Sequence, residues 1–416
     1  MRLYSLKLEN IGPFDEAEVE FLAEGDTSPG VTLLTGMNGT GKTIILDAIR
    51  AFFGPHYAHL EREIWRLDSP FVVEVRHSFQ PDDSIAVGRT RCVAPGNHRS
   101  FARPYSDLTD RLPQWLVDNP GSRPPPWVVD FWRSQLANDD PRIQSLTSVN
   151  HRALYQGALQ GVVTNASVTH LLCHFDYLRD SRNPAERATG QALYALAEKI
   201  IRFSLLDGEL VDIERSTFTP RARQGGHVVP LASISSGNAY LVQRMISLLG
   251  RMYSLHMLRE SDPATLHEAP GLLLIDEAEN HLHPAWQKRF LPGVRDIFPN
   301  LQIIAATHSP FVLASVPDAR VYVCQYDPAT RRTTISEETA ADQNKPVDEI
   351  LSMSAFDGTG PFGREITELL EARRVAIAAK DDAQRREVEQ RLMALNPTYF
   401  GYLDLDRQIE ALRQAS

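Results

Sequence analysis

Residues Val31–Phe53 read VTLLTGMNGTGKTIILDAIRAFF. Val31–Thr35 is a short apolar, β-leaning run of the kind a buried parallel strand needs. A glycine-punctuated loop follows, from Gly36 through Met37, Asn38, Gly39, Thr40, Gly41 and Lys42 to Thr43. Ile44, Ile45, Ala48, Ile49, Phe52 and Phe53 then recur at helical spacing. A strand, a G-x-x-x-x-G-K-T loop and a helix together make a phosphate-cradling P-loop. Its glycines let the backbone wrap an anion, and the helix N-terminus adds about half a positive charge. Lys42 is expected to reach the β- and γ-phosphates of a nucleotide, and the Thr43 hydroxyl to hold Mg²⁺. At ordinary glycine usage the bare pattern arises by accident in roughly one chain of this length in a hundred. Its place between a strand and a helix lowers that further.

The chain has 416 residues, enough to bury a full core and to divide into two or three domains. A hydrophobic content of 43% and a charged content of 23% are ordinary for a globular protein. No apolar run reaches the ~20 residues a membrane span needs. The opening MRLYSLKLEN alternates apolar residues and does not build a signal-peptide core. A cytoplasmic protein with no membrane partner is expected. Cys92, Cys173 and Cys324 lie too far apart for a zinc site or a disulfide framework. A net charge of −10 gives no global attraction to nucleic acid, so any DNA contact must be local.

Leu3, Leu6 and Leu8 open a strand that Ile11-Gly12-Pro13-Phe14 breaks, and residues 16–22 resume the alternation. Two antiparallel strands feeding a P-loop strand suit a mixed sheet. Phe71–Phe79 and Ser84–Val93 read as a pair of strands around Pro81-Asp82-Asp83. Residues 94–126 are rich in proline, arginine and glycine. With Arg89 and Arg91, the residues His98, Arg99 and Arg103 make this stretch locally basic, read as a solvated surface ahead of a nucleic-acid or partner patch. Trp127–Trp132 looks like a buried strand, residues 150–205 turn helical, and 206–230 are short strands and loops. Leu241–Leu258 is a helix with Leu241, Met245, Leu248, Leu249 and Met252 in a stripe. Leu272–Ile275 and Leu301–Ala305 are buried strands with a helix between them. Val321–Gln325 and Arg332–Ser336 read as edge strands. Residues 362–395 and 405–413 are helical.

Three further stretches carry chemistry. Residues 271–284, GLLLIDEAENHLHP, end an apolar strand in Asp276 and Glu277. Carboxylates there can hold Mg²⁺ through water (Asp276) and polarise an attacking water (Glu277). Residues 306–310, ATHSP, place His308 at another strand's end, where it can contact a γ-phosphate. Residues 233–242, SISSGNAYLV, set Ser235, Ser236 and Gly237 at a helix start, either an ordinary cap or a second phosphate grip.

These four pieces, in this order, resemble the ABC-type ATPases of the SMC, RecF and OLD group. GMNGTGKT matches the Walker A motif and ISSGN the signature. LLLIDEAENHLHP matches Walker B with the D-loop, and ATHSP the switch histidine. The opening LKLENIGPF and the LDAI after the P-loop are also similar, whereas the middle of the chain and its tail lie outside the resemblance. The resemblance implies an α/β P-loop ATPase head with a mixed sheet, split over residues 1–95 and 206–340. A largely helical insertion (96–205) and a C-terminal helical region (341–416) complete the expected organisation. It also implies a homodimer or higher homo-oligomer, in which each ATP lies between Asn38, Gly39, Thr40, Gly41, Lys42 and Thr43 of one copy and Ser235 with Gly237 of the other. Asp276 and Thr43 carry over as metal ligands; Lys42, Glu277 and His308 carry over as catalytic groups. His281 and His283 fall in the D-loop region. Asn238 stands where many relatives have Glu or Gln. Gln80, Gln135 and Gln156 all remain open as a Q-loop glutamine.

A transporter ATPase would need a membrane partner. An SMC protein would carry a long coiled coil between Walker A and signature, and an OLD nuclease would carry a Toprim domain after the ATPase. The layout is similar instead to ATPase subunits of bacterial anti-phage systems such as Septu and retron-associated pairs. That implies control of a separate effector, a nuclease or toxin. A RecF-like ATPase of DNA repair and an ATP-binding scaffold with negligible turnover are the alternatives.

Overall fold

A computed structural model describes residues 1–23, 25–26, 28–53, 71–79, 88–94, 124–135, 139–161, 163–205, 208–338, 347–351 and 362–404. Gly54-Pro55, the Pro81–Asp83 turn, Gln80, His98, Arg99, Arg103 and the helix expected over 405–413 lie outside them, as do the side chains of Arg89, Arg91 and Gln156. Met1–Val347 forms one compact unit and Asp348–Ser416 another.

The first unit holds two principal sheets. One is antiparallel, in the order β2-β1-β4-β5, from β1 (Leu3–Ile11), β2 (Phe14–Glu20), β4 (Phe71–His77) and β5 (Gly88–Ala94). The other contains β3 (Val31–Gly36), β6 (Val128–Trp132), β10 (Gly271–Ile275), β11 (Leu301–Ala306), β12 (Arg320–Asp327) and β13 (Arg332–Glu338). Its order is β13-β12-β3-β11-β10-β6, parallel except for β13. The expected mixed sheet is thus present. The two opening strands, however, do not join it and make a sheet of their own.

Helix α1 (Lys42–Phe52) shares one core with both sheets, because Ile45, Leu46, Ile49 and Phe52 cluster with Leu6 and Leu8 of β1 and with Leu34, Leu274 and Ile304 of the parallel sheet. That apolar burial welds the sheets together. A polar weld accompanies it. The amide of Gln302, fully buried in β11, accepts from the Leu3 N–H at 2.8 Å and donates to the Leu3 carbonyl at 2.8 Å. Both amide groups of that side chain are therefore satisfied.

Two expectations need correcting. Val321–Gln325 is not an edge: β12 lies between β3 and β13, which is why Val321, Tyr322, Val323 and Cys324 are all buried. The strand Trp127–Trp132 falls inside the stretch assigned to an insertion, yet β6 pairs in parallel with β10 as part of the head sheet. The Arg50 guanidinium of α1 sits 4.0 Å over the Phe131 ring and ties β6 to the P-loop helix.

Helices α2 (His151–Gln156), α3 (Asn165–Arg179) and α4 (Pro184–Ser204) pack on α5 (Ser236–Arg259). The expected stripe on this last helix understates its burial, because Tyr240–His256 is buried on every side. Its remaining faces are buried through polar side chains such as Gln243, Arg244 and Ser247, which an apolar stripe leaves out. Asp130 of β6 anchors it. That carboxylate is fully buried, pairs with Arg251 of α5, and accepts from the Phe131 N–H at 2.7 Å and Trp132 Nε1 at 3.1 Å. Strands β7 (Glu209–Glu214), β8 (Thr219–Gln224) and β9 (His227–Pro230) make a small third sheet. Helix α6 (Pro284–Ile297) follows β10, and the short helix α7 (Pro310–Leu313) follows β11.

In the second unit, α8 (Arg364–Ala379) and α9 (Asp382–Leu395) form a hairpin turned by Lys380 at φ 56°. Leu369, Val388, Leu392, Phe400 and Leu403 make its core.

Candidate nucleotide site

The parallel register decides where the chemistry gathers. β3, β11 and β10 are neighbours running the same way, so their C-terminal ends open on one edge of the sheet. Ligands in α/β folds bind at that edge. There β3 gives way to the P-loop, β11 to Thr307-His308, and β10 to Asp276-Glu277. Asn38, Gly39, Gly41, Lys42, Thr43, Ile44, Asp276, Glu277, Ala306 and His308 line one cleft of about 440 Å³.

Two glycines make the loop's path feasible. Gly36 has φ 135°, and a Cβ there would meet the Cys324 carbonyl oxygen at 2.2 Å. Gly41 caps α1 at φ 97°, where a Cβ would meet the Phe14 ring at 2.6 Å. Both positions are left-handed and crowded, so a side chain is excluded twice over. The loop also organises its own cation. Lys42 Nζ donates to the Gly36 carbonyl at 2.9 Å and the Met37 carbonyl at 2.7 Å. Thr40 Oγ1 donates to that same Met37 carbonyl at 2.9 Å. Burial lowers the Lys42 pKa, partly offset by nearby acids that include Glu279, Asp276 and Glu277.

Thr43 and Asp276, far apart in the chain, meet here, with Thr43 Oγ1 donating to Asp276 Oδ1 at 3.1 Å. Burial pushes the Asp276 carboxyl up to about 6; the Thr43 bond lowers it and Glu277 raises it again. Hard oxygen donors with a carboxylate that resists ionisation suit Mg²⁺, whose charge would restore the ionised form. Glu277 is exposed at φ 52°, with its Oε2 accepting from Asn280 Nδ2 at 3.3 Å. A glutamate in the left-handed region is strained, and such strain gathers at functional turns. His308 is half-buried; burial foremost, then the Lys42 charge, lowers its pKa. A neutral imidazole is thereby favoured.

The structure thus brings Asn38, Gly39, Gly41, Lys42, Thr43, Asp276, Glu277 and His308 into one cleft, with Thr40 buried behind it. Ser235 and Gly237 do not line it. They stand at the start of α5, where Ser235 is the exposed N-cap residue and makes no side-chain capping bond. Gly237 packs against the D-loop of its own chain, and a Cβ there would meet the His281 carbonyl oxygen at 2.4 Å. Asn238 is buried. His281 lies tilted against Tyr240, with ring centroids 5.9 Å apart, and its Nε2 lies 3.0 Å from the Ser134 carbonyl. His283 caps α6, accepting from the Ala285 N–H at 3.3 Å. Gln135 does not line the cleft.

One residue had no role assigned from sequence. Glu279 accepts from Thr307 Oγ1 at 2.6 Å and from the His308 N–H at 2.7 Å. No local pattern marks it, because both partners belong to the next strand's end.

These features define the class: an α/β P-loop ATPase head whose motifs resemble those of the ABC-type ATPases of the SMC, RecF and OLD group. Residues 142–314 match the family described as "AAA domain, putative AbiEii toxin, Type IV TA system", and residues 5–90 match an AAA domain. Among particular proteins, the chain is 23% identical over 344 residues to the Septu protein PtuA of Bacillus thuringiensis, covering 77% of this chain and 78% of that one. It is 31% identical over 100 residues to the Retron Vc95 probable ATPase of Vibrio cholerae serotype O1 biovar El Tor, covering 24% of this chain but only 19% of that protein. The SMC head domain from Thermotoga maritima overlays with a TM-score of 0.46 at 15% identity, over 82% of this chain and 100% of that one. Among the described residues no helix is long and apolar enough to cross a membrane.

Proposed function

We propose that the chain binds and hydrolyses ATP as a head-to-tail dimer and, in doing so, controls a partner effector, a nuclease or toxin, in anti-phage defence. The observation that carries the enzymatic part is the convergence of Lys42, Thr43, Asp276, Glu277 and His308 from three neighbouring strand ends into one cleft. In this reading the loop N–H groups and Lys42 take the β- and γ-phosphates in exchange for the carbonyls Lys42 now holds. Thr43 and Asp276 hold Mg²⁺, which when bound offsets the phosphate charge. Glu277, exposed at the mouth, accepts the proton of the attacking water, and neutral His308 hydrogen-bonds the γ-phosphate side. The exposed start of α5, with Ser235 and Gly237, meets the nucleotide of a second copy. Similarity to the Septu protein and to the retron ATPase supports the defence role and the partner.

Glu277→Gln tests the reading, because it keeps the shape and removes the base. Phosphate release should fall on the order of a hundredfold to a thousandfold. ATP should stay bound, with a longer-lived dimer in sedimentation runs. Turnover at the wild-type rate in this variant would falsify the assignment of the base. For the effector, a nuclease or toxin copurified with the wild-type ATPase should change activity on ATP addition, and one indifferent to ATP would break the regulatory part.

A further inference from the structure

His308 can act only if its imidazole is held at the mouth of the cleft, and the ladder of its own strand stops just before it. β11 ends at Ala306; the Thr307 N–H still donates to the Leu34 carbonyl of β3 at 2.9 Å, and His308 and Ser309 lie beyond that last ladder bond. The residues on both sides of the histidine are also tied to the segment after β10. Glu279 takes the Thr307 hydroxyl at 2.6 Å with one oxygen and the His308 N–H at 2.7 Å with the other. Gln287 of α6 takes the Ser309 hydroxyl at 2.6 Å, while its own amide donates to the Leu282 carbonyl at 2.8 Å. The backbone continues the tie, with the Ala278 N–H donating to the Ala306 carbonyl at 2.9 Å. Glu279 is only half-buried but spends both carboxylate oxygens on this one tripeptide. A charge-assisted bond to a backbone N–H is among the stronger hydrogen bonds available.

We infer that Glu279 is a positioning residue for hydrolysis: it clamps Thr307 and His308 so that the imidazole keeps its register with Glu277, two residues before the clamp. Gln287 braces the far side. The turn that carries the water-polarising carboxylate thereby also carries the histidine, and the two move as one piece. A shift of the Glu277–Asn280 turn would displace His308 with it. The inference rests on the ATPase reading of the same cleft, and it adds a residue that touches neither nucleotide nor metal in that reading.

Glu279→Gln keeps the volume and one acceptor, and Glu279→Ala removes the clamp. Three quantities are measured for each and for wild type: ATP affinity by equilibrium titration, kcat and KM for phosphate release, and hydrogen exchange at the His308 amide. The exchange rate should rise from wild type through Glu279→Gln to Glu279→Ala. The kcat should fall in the same order, on the order of a hundredfold for Glu279→Ala, as expected when a catalytic group is misplaced by about 1 Å. ATP affinity and KM should stay within about threefold of wild type. Thr307→Ser, which keeps the hydroxyl, should retain more kcat than Thr307→Val. An unchanged kcat in Glu279→Gln, or a loss of ATP affinity parallel to the loss of kcat, overturns the positioning role. If Glu279→Ala does not fold, Glu279→Gln and the Thr307 pair decide the matter. Failure of the underlying reading looks different, because wild type would then bind ATP without turning it over. In that case the exchange data alone judge the clamp, and equal exchange in wild type and Glu279→Gln overturns it.

Discussion

The P-loop cleft and the start of α5 both place polar groups where phosphate could bind, but they differ in how those groups are used. In the cleft nearly everything is engaged: Lys42 with two loop carbonyls, Thr43 with Asp276, Asn280 with Glu277. At the start of α5, Ser235 and Ser236 are exposed, Ser235 makes no capping bond, and Gly237 is pressed on the His281 carbonyl. One is a pocket whose polar groups are paired with one another. The other is an open face whose glycine already has a reason inside its own chain. Gly237 therefore has a packing reason within its own chain beside its proposed contact with a second copy's nucleotide, and substitutions can separate the two regions.

The largest expected effect lies in the cleft. Lys42→Ala removes the only lysine or arginine lining it among the described residues, and turnover should fall on the order of a thousandfold or more, with ATP affinity falling too. Titration and phosphate-release assays read this directly, and wild-type values would dismantle the P-loop reading. At the open face, Ser235→Arg should lower turnover and ATP-driven dimerisation roughly tenfold or more, while ATP titration of the monomer stays unchanged. An equal loss of monomer affinity would mean that the two regions are not separate half-sites.

Gly237→Ala sharpens the contrast from the other side. The added Cβ must displace the His281 backbone, which costs about 1–3 kcal/mol when packed atoms have to shift. Thermal unfolding of the nucleotide-free monomer reads that cost without any partner present. A variant as stable as wild type would return Gly237 to a purely intermolecular role.

How legible all this was follows from where each signal sits in the chain. The P-loop, the Asp276-Glu277 strand end and His308 could be read because each is a short local pattern whose strand is an apolar run. Their convergence could be read because parallel neighbouring strands share one end. What escaped depended on distant partners. Glu279 means nothing until β11 is laid beside β10. β12 looked like an edge because a short apolar run next to a polar hairpin does not announce that β3 lies on its other side. β6 was cut off from the head sheet because a proline- and arginine-rich stretch precedes it, and composition conceals a pairing with a strand far along the chain. Helix α5 showed only a stripe because its remaining faces are buried through polar residues such as Gln243, Arg244 and Ser247.

The smallest effect concerns what the cleft costs the fold. Burial holds the Asp276 pKa at about 6, above its ordinary value of 3.8, so the folded state binds this proton more tightly than the unfolded chain does. Stability from this group is therefore fully present below about pH 4 and is lost as pH rises through about 6. The full shift corresponds to about 3 kcal/mol. The cleft is open to solvent, and screening reduces this to about 1–2 kcal/mol. Asp276→Asn, measured in chelator without Mg²⁺, should raise Tm by about 2–4 °C at pH 7.5 and leave it unchanged near pH 4. The same substitution should abolish Mg²⁺-dependent stabilisation, since the buried carboxylate charge is the one the cation would use. An Asn variant no more stable than wild type at pH 7.5 would show that Thr43 and solvent already compensate the buried carboxylate. The cleft would then differ from the α5 face in geometry but not in stored electrostatic cost.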